Sequence, residues 1–323
     1  MARFLLYPEV ALERYRSLKR LGEVWYNLKT NPEVGKVLES TDAKFVATGS
    51  GNLSRIDPKR AVMLVQGETA EELKGVVDAG VHGFIVDNEP DLKRVLAVTD
   101  DTRLFIRIRM KEHTLYTGKY FVYGINWRRA AELVRGLDSV GIHFHRKTQN
   151  VGEWALVDDL KPILERMEVQ EVNIGGGLPV AYHNSRPDLQ PIMASIEKLR
   201  DYLREKGMNL VLEPGRYIAA PAVKLETLVV NAYDGNLVVD ASIYNASMDT
   251  FLFNIRLPVE GEVDRGHRYL IKGRSPDSLD IFRYRVFFPE EKGVGDRVVF
   301  LNAGAYNFHT EFSDLPRIPT VIL

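Results

Sequence analysis

Four short segments of this 323-residue sequence carry side chains that could do chemistry together. They are Lys29 in WYNLKTNP, His143 and His145 in GIHFHRKTQN, the triplet Gly175, Gly176 and Gly177 in VNIGGGLP, and Glu213, Gly215 and Arg216 in LEPGRY. Each directly follows an apolar run. A lysine half shielded by aromatic neighbours has a lowered ammonium pKa and can form a Schiff base with an aldehyde. Consecutive glycines let backbone N–H groups close on a phosphate, and an arginine beside them adds charge-assisted bonds. A carboxylate can keep a pyridine nitrogen protonated, and a histidine can stack on a flat ring. Singly, each has an ordinary explanation: a solvated lysine, a glycine loop, a structural histidine. Together, at neighbouring strand ends, they describe a site for pyridoxal phosphate.

Position is what turns these residue types into a site. Apolar runs of strand length recur at 24–28, 45–48, 61–65, 83–86, 104–108, 140–144, 172–174 and 210–212, separated by polar turns and amphipathic stretches such as 69–79 and 192–206. Such alternation means parallel strands joined by crossover helices. Eight units within about 200 residues predict a (β/α)8 barrel, whose working residues sit at the C-terminal strand ends. An open doubly wound sheet is the competing α/β reading. Beyond residue 220 the runs at 223–230, 237–239, 269–271, 282–288 and 298–301 are rich in β-branched and aromatic residues. With their Gly, Asn and Pro turns they predict a mainly antiparallel β domain. The expected division is an N-terminal segment at 1–20 joining the β domain, a barrel at 21–224 and the β domain at 225–323.

Composition narrows the partners. With 43 basic and 44 acidic side chains the net charge is -1, and no basic stripe invites nucleic acid or an anionic membrane. The absence of cysteine removes disulfides, thiolate nucleophiles and zinc–thiolate or Fe–S sites, and no metal site is expected. The N-terminal apolar patch is short and runs into Glu13, Arg14 and Arg16, and no apolar run reaches membrane-spanning length. A cytoplasmic protein is expected.

From YNLKTNP through GETAEELKGVVDAGVHGFIVDNEPDL, GIHFHRKTQN, VNIGGGLP, EPGRYIAAPA and SPDSLD to GDRVVFLNAGAYNFHTEF, the sequence resembles the fold-type III pyridoxal phosphate enzymes. That family includes the ornithine, diaminopimelate and biosynthetic arginine decarboxylases. The resemblance implies that Lys29 is the Schiff-base lysine and His145 the ring-stacking histidine. It implies that Gly175, Gly176 and Gly177 hold the phosphate, with Gly215, Arg216 and Tyr306 completing the cofactor contacts and Thr148 standing where a serine often reaches the phosphate. Glu213 matches the carboxylate on the pyridine nitrogen, and Arg107 an arginine lining the site. Asp277 matches an acid that the family supplies to the partner subunit, which implies a homodimer with shared sites. The implied activity is decarboxylation of an L-amino acid, whether basic, diaminopimelate-like or a carboxylated derivative.

The sequence also departs from this family. Pro276 stands where the decarboxylases have a cysteine that returns a proton to the substrate carbon. Asp277, His143 or a water could deliver it instead; otherwise a decarboxylating transaminase results. Asn254 stands near the position of an amine-binding aspartate, with Arg256, Arg283 and Arg285 close by in sequence. Asn254, Arg256 and Asp277 are therefore the substrate candidates. Ala47 replaces an aspartate that positions the site's histidine and arginine, and Arg146 and Lys147 follow the stacking histidine, where a second anion could bind or the side chains could point outward. Gly49, Ser50 and Gly51 lack the third glycine of a dinucleotide loop. Two further alternatives stay open: an amino-acid racemase, which needs a second base such as Tyr244 or Tyr306, and a non-catalytic decarboxylase-like regulator.

Overall fold

Short apolar runs fold into strands here because each can bury one face, or both in the barrel, where the strand Gly83–Val86 (GFIV) is buried throughout. The computed structural model describes residues 1–110, 123–137 and 139–323. The chain opens with β1 (Arg3–Leu6) and α1 (Pro8–Lys19), then alternates: β2 (Glu23–Asn27), α2 (Pro32–Leu38), β3 (Lys44–Ala47), β4 (Ala61–Val65), α3 (Ala70–Asp78), β5 (Gly83–Val86) and α4 (Glu89–Val98). It continues with β6 (Arg103–Arg109), β7 (Ile125–Asn126), α5 (Trp127–Val134), β8 (Val140–His143), α6 (Leu156–Leu164), β9 (Glu171–Asn173), α7 (Leu189–Glu205), β10 (Asn209–Leu212) and α8 (Gly215–Ala219). Strands β2, β3, β4, β5, β6, β8, β9 and β10 pair in parallel in a ring that the β5–β6 ladder closes. Closure excludes the open doubly wound sheet and puts every strand's C-terminal end on one mouth. The barrel interior is filled by Trp25, Val46, Val62, Ile85, Phe105 and Val211, and the rings of Trp25 and Phe105 meet edge to face at 5.0 Å. Burying each such large apolar side chain contributes roughly 1.5–3 kcal/mol. The outer helices are started locally; Thr69 and Glu72 form a reciprocal capping box on α3.

The chain divides into two units. One comprises Tyr15–Pro179 and Asp188–Gly215; the other comprises Met1–Arg14, Val180–Pro187 and Arg216–Leu323. These borders differ from those expected at 20/21 and 224/225, for reasons visible in the bonding. Tyr15 and Lys19 both bond Asp42, which holds the second half of α1 to the barrel unit. Ala220 and Val223 accept from the backbone of Gly304 and Ala303, and His183 donates to the Arg256 carbonyl, so 216–224 and 180–187 go with the β unit.

In the β unit the continuing elements are β11 (Val223–Tyr233), β12 (Asn236–Val239), α9 (Ile243–Ala246), α10 (Met248–Phe253), β13 (His267–Lys272), β14 (Ile281–Phe288), β15 (Arg297–Phe300) and β16 (Thr320–Ile322). The sheet order is β14-β13-β12-β11-β1-β16, with β15 also paired to β11. Strand pairs β1–β16 and β12–β13 are parallel and the others antiparallel. β11 turns Val223, Leu225, Thr227 and Val229 inward at every second position. Among the described residues no helix is long and apolar enough to cross a membrane.

Candidate active site

One mouth of the barrel collects the chemistry, because adjacent strands end there side by side. Lys29 follows β2, Asp87 follows β5, Arg107 lies on β6, His143 ends β8, Asn173 ends β9 and Glu213 follows β10. The buried Glu213 accepts a 2.8 Å bond at Oε1 from the Asn173 amide nitrogen, and His143 Nε2 lies 3.4 Å from the same oxygen. Burial alone would push this carboxyl up, but His143 and the Asn173 bond outweigh it and hold the pKa below the usual value. Burial depresses the Lys29 ammonium, Arg107 adds to that, and Glu213 opposes both. The result is an amine that gives up its proton more readily and so becomes a better nucleophile. Burial, and then Arg107, lower His145 to about 4. Its ring is neutral near pH 7, with Nδ1 accepting the Gly176 N–H at 3.1 Å. The proton therefore sits on Nε2, leaving the ring face available for stacking.

The glycine turn is one that other residues could not make. Gly175 and Gly177 have φ of 65° and 100°, and a Cβ on Gly176 would lie 2.7 Å from the Glu213 carbonyl oxygen. At Gly215 a Cβ would come within 2.2 Å of the Thr30 hydroxyl. Among the buried polar atoms of this unit with no hydrogen-bond partner in the described residues are Asn27 Oδ1, Thr30 Oγ1 and His143 Nδ1, a costly arrangement in a packed interior. Pyridoxal phosphate needs an amine, a turn that lets its phosphate approach the backbone closely, a carboxylate and a flat neighbour, and Lys29, the glycine turn, Glu213 and His145 fit it. Thr148 is half-buried three residues beyond His145.

Two residues of this mouth carry no mark in the sequence alone. Asp87 is buried, accepts the Gly124 N–H at 2.7 Å and lies 3.9 Å from Arg107. It faces Arg107 from the end of the fourth barrel strand, whereas Ala47 on the second has no carboxylate. Asn173 precedes the three glycines and reads from sequence only as a strand end; the two hydrogen bonds of its side-chain amide give it a role. The directions of Arg146 and Lys147 also become plain. Arg146 is buried and paired with Asp159 at 2.5 Å, and donates to the Glu153 carbonyl at 2.8 Å. It braces the β8–α6 loop and is not a second anion site. Lys147 faces Glu153 at 4.0 Å.

The β unit holds the other candidates. Arg216 is buried, ion-paired with Asp249, bonded to the Tyr182 hydroxyl at 3.0 Å, and stacked 5.0 Å from the Tyr306 ring centroid. Asp277 Oδ1 caps the Leu279 N–H at 2.7 Å, and burial together with Asp277 raises the pKa of Tyr244. Asn254 ends α10 in a left-handed conformation and its Oδ1 accepts from Arg256 Nε at 2.9 Å. Arg256 also donates to the Ile281 carbonyl and stacks on Tyr284. Arg283 is 1% exposed, paired with Glu262 at 2.7 Å and bonded to the Leu257 carbonyl. It is a structural ion pair, not a substrate-facing charge.

The family model for the pyridoxal-dependent decarboxylase, pyridoxal binding domain, matches residues 15–220. The chain belongs to the pyridoxal-dependent decarboxylase family. It is 25% identical to a diaminopimelate decarboxylase of Vibrio cholerae, covering 98% of this chain and 86% of that protein. It is 24% identical to a lysine/ornithine decarboxylase of Selenomonas ruminantium over 95% and 84% of the two chains. Among solved structures, the lysine/ornithine decarboxylase of Vibrio vulnificus complexed with putrescine shares the fold with a TM-score of 0.84 at 22% identity, covering 100% of this chain and 94% of that one. The cofactor of this decarboxylase is pyridoxal phosphate, and its reaction is the decarboxylation of an amino acid.

Proposed function

We propose that this decarboxylase acts on an L-amino acid with a second basic nitrogen, of the lysine, ornithine or diaminopimelate class, as a cytoplasmic homodimer. The observation that carries the reading is the buried Glu213, bonded by Asn173 and facing His143, at the same barrel mouth as Lys29, whose ammonium pKa burial lowers. Bound pyridoxal phosphate supplies an electron sink for the pair released when the Cα–carboxylate bond breaks. Lys29 would hold its aldehyde carbon, Glu213 would keep a proton at the pyridine nitrogen, and neutral His145 would offer its face to the ring. The turn formed by Gly175, Gly176 and Gly177 is assigned to the phosphate, and Thr148, Gly215, Arg216 and Tyr306 to the cofactor, on the sequence match; the Gly175 and Gly176 N–H groups themselves donate to Asn173 and His145. The substrate class is supported by the names of relatives matched over nearly the whole chain. It is supported too by Arg256 and Arg283, whose guanidiniums are committed to neighbours instead of offering a distal carboxylate a partner.

Pro276 has no proton to give, and His143 is turned to Glu213. That leaves a water, or Asp277 brought across the dimer interface, as the source of the proton returned to the product carbon. Exposed apolar residues support that interface: Phe251 and Phe312, both nearly half exposed, touch the Tyr244 ring that Asp277 faces, and Leu279 is more exposed still.

The test is cofactor uptake, then CO2 release. Wild type should develop a visible band with pyridoxal phosphate that borohydride fixes to the protein, and Lys29→Ala should not. Lysine, ornithine, diaminopimelate and arginine are then assayed for CO2. No cofactor uptake, or no CO2 from any of them, overturns the reading. Pro276 favours one second reading, decarboxylating transamination, and an aldehyde product in place of the amine would establish it.

A further inference from the structure

Glu213 and the glycine turn are tied by a closed ring of three hydrogen bonds. The Gly175 N–H donates to Asn173 Oδ1 at 2.8 Å, the Asn173 amide nitrogen donates to Glu213 Oε1 at 2.8 Å, and the Glu213 N–H donates to the Gly175 carbonyl at 2.8 Å. Asn173 is 0% exposed. Its planar amide presents one donor and one acceptor at a fixed separation, and the ring uses both. Aspartate could accept from Gly175 but would turn an oxygen on Glu213; alanine and serine could not span the gap. The next N–H of the turn, that of Gly176, is bonded to His145. One side chain thus links the acid for the pyridine nitrogen to the turn that carries the phosphate cradle and, through it, to the stacking ring.

We infer that Asn173 is the positioning residue of this site: it sets the Glu213 carboxylate against the glycine turn and, as a donor, bonds the charged form of that carboxylate. The inference rests on the proposed function for its kinetic consequences and on the ring alone for its electrostatic ones. The charged and titratable groups facing Glu213 are Lys29 beyond β2, Arg107 on β6, His143 at the end of β8 and His145 just beyond it. Asn173 alone among these neighbours hydrogen-bonds both Glu213 and the first glycine of the turn.

Asn173→Asp separates the two halves of the role. The new carboxyl still accepts from Gly175, but two carboxylates now share one buried contact and one of them keeps a proton to higher pH. When protonated, the introduced acid is again donor and acceptor, so the defect is healed by acid. In the holoenzyme, kcat of Asn173→Asp should fall about tenfold or more at pH 8 and recover to within about threefold of wild type near pH 5.5, with KM moving less. The cofactor's visible band should gain a titration in the same range. In the cofactor-free protein the thermal midpoint of the variant should approach wild type at low pH and fall away as pH rises, because its raised carboxyl pKa makes the folded state the stronger proton binder. A merely structural contact would give a loss independent of pH. A flat variant-to-wild-type ratio in both measurements, or wild-type behaviour throughout, overturns the inference. If wild type binds no cofactor, the function has failed while the cofactor-free midpoints still decide the ring. Asn173→Ser, which retains a small polar side chain, is the second variant should Asn173→Asp not fold; it should show weaker cofactor affinity than wild type, and unchanged affinity counts against the inference.

Discussion

The two mouths of the barrel are built from the same eight strands and handle charge in opposite ways. At the N-terminal mouth Arg103, the first residue of β6, bonds Glu23 at the start of β2 and Glu171 at the start of β9. Lys44 at the start of β3 adds a contact to Glu23 at 3.3 Å. The guanidinium lies 5.0 Å from the Trp25 ring centroid and caps the apolar core. Burial works against the charges, but each partner more than offsets it: Glu23 falls to about 2 and Arg103 rises. At the C-terminal mouth burial prevails for Lys29, Arg107 and His145, and each has its pKa lowered. One mouth cancels its charges and stabilises the fold; the other crowds groups that would be easier to satisfy in water, as an active site does.

Removing the proposed Schiff-base lysine disturbs this contrast most severely. Lys29→Ala should lower CO2 release by roughly 10³-fold or more while leaving the thermal midpoint equal or higher, since it relieves a buried cation. A variant that retains more than a tenth of the activity would remove Lys29 from the chemistry. Glu213→Gln should cost kcat roughly 10²–10³-fold with little change in KM, because it acts on charge that develops during reaction. Equal loss in kcat/KM through KM alone would make Glu213 a binding group only.

Arg103→Met should do the converse. It leaves Glu171 without its guanidinium and Glu23 with Lys44 alone. Truncating one partner of a buried pair costs about 3–5 kcal/mol, and partial exposure of this one reduces the expected cost to about 2–3 kcal/mol. Activity per folded molecule should not change. The Glu23 contribution is present above its ordinary pKa and is lost as pH falls from 4.5 towards about 2. Glu23→Gln should therefore flatten the stability profile in that window, as read by urea midpoints at stepped pH.

Much of the active mouth was legible because strand ends can be found from apolar runs, and the residues just past each run lie on the mouth. Strand ends alone place Lys29, His145, Glu213 and the glycines there, while their roles come from the resemblance. Asn173 and Asp87 were not legible because their roles depend on the groups they face from other strands. Asn173 meets Glu213 from 40 residues away and Asp87 meets the Gly124 N–H from 37. The Arg103 cluster spans 68 and 80 residues and leaves no local pattern. Arg146 was open for a simpler reason: beyond the strand end, sequence adjacency to His145 does not fix direction, and its guanidinium turns to Asp159 and stands over the Phe144 ring. The short helices α9 and α10 leave no distinct pattern, because the apolar residues of their stretch also suit strands; Ser242 and Asn245 form the capping box that starts α9.

The smallest effect defines the contrast most finely, because it assigns each mouth its own pH window. In the unfolded chain His145 takes up a proton near its ordinary pKa of 6.5, whereas in the folded barrel it does so only at about 4. Between these values the unfolded state binds the extra proton, so stability is lost as pH falls from 6.5 towards 4. Allowing for the half-buried position of the ring, the loss is about 1–2 kcal/mol. His145→Phe keeps a flat ring and cannot titrate. In the cofactor-free protein it should remove the part of the acid slope above about pH 4.5 and leave the Glu23 limb below it intact, while Glu23→Gln does the reverse. If His145→Phe leaves the upper slope unchanged, the ring is protonated in the folded chain as readily as in the unfolded one, and burial at this mouth does not withhold its charge.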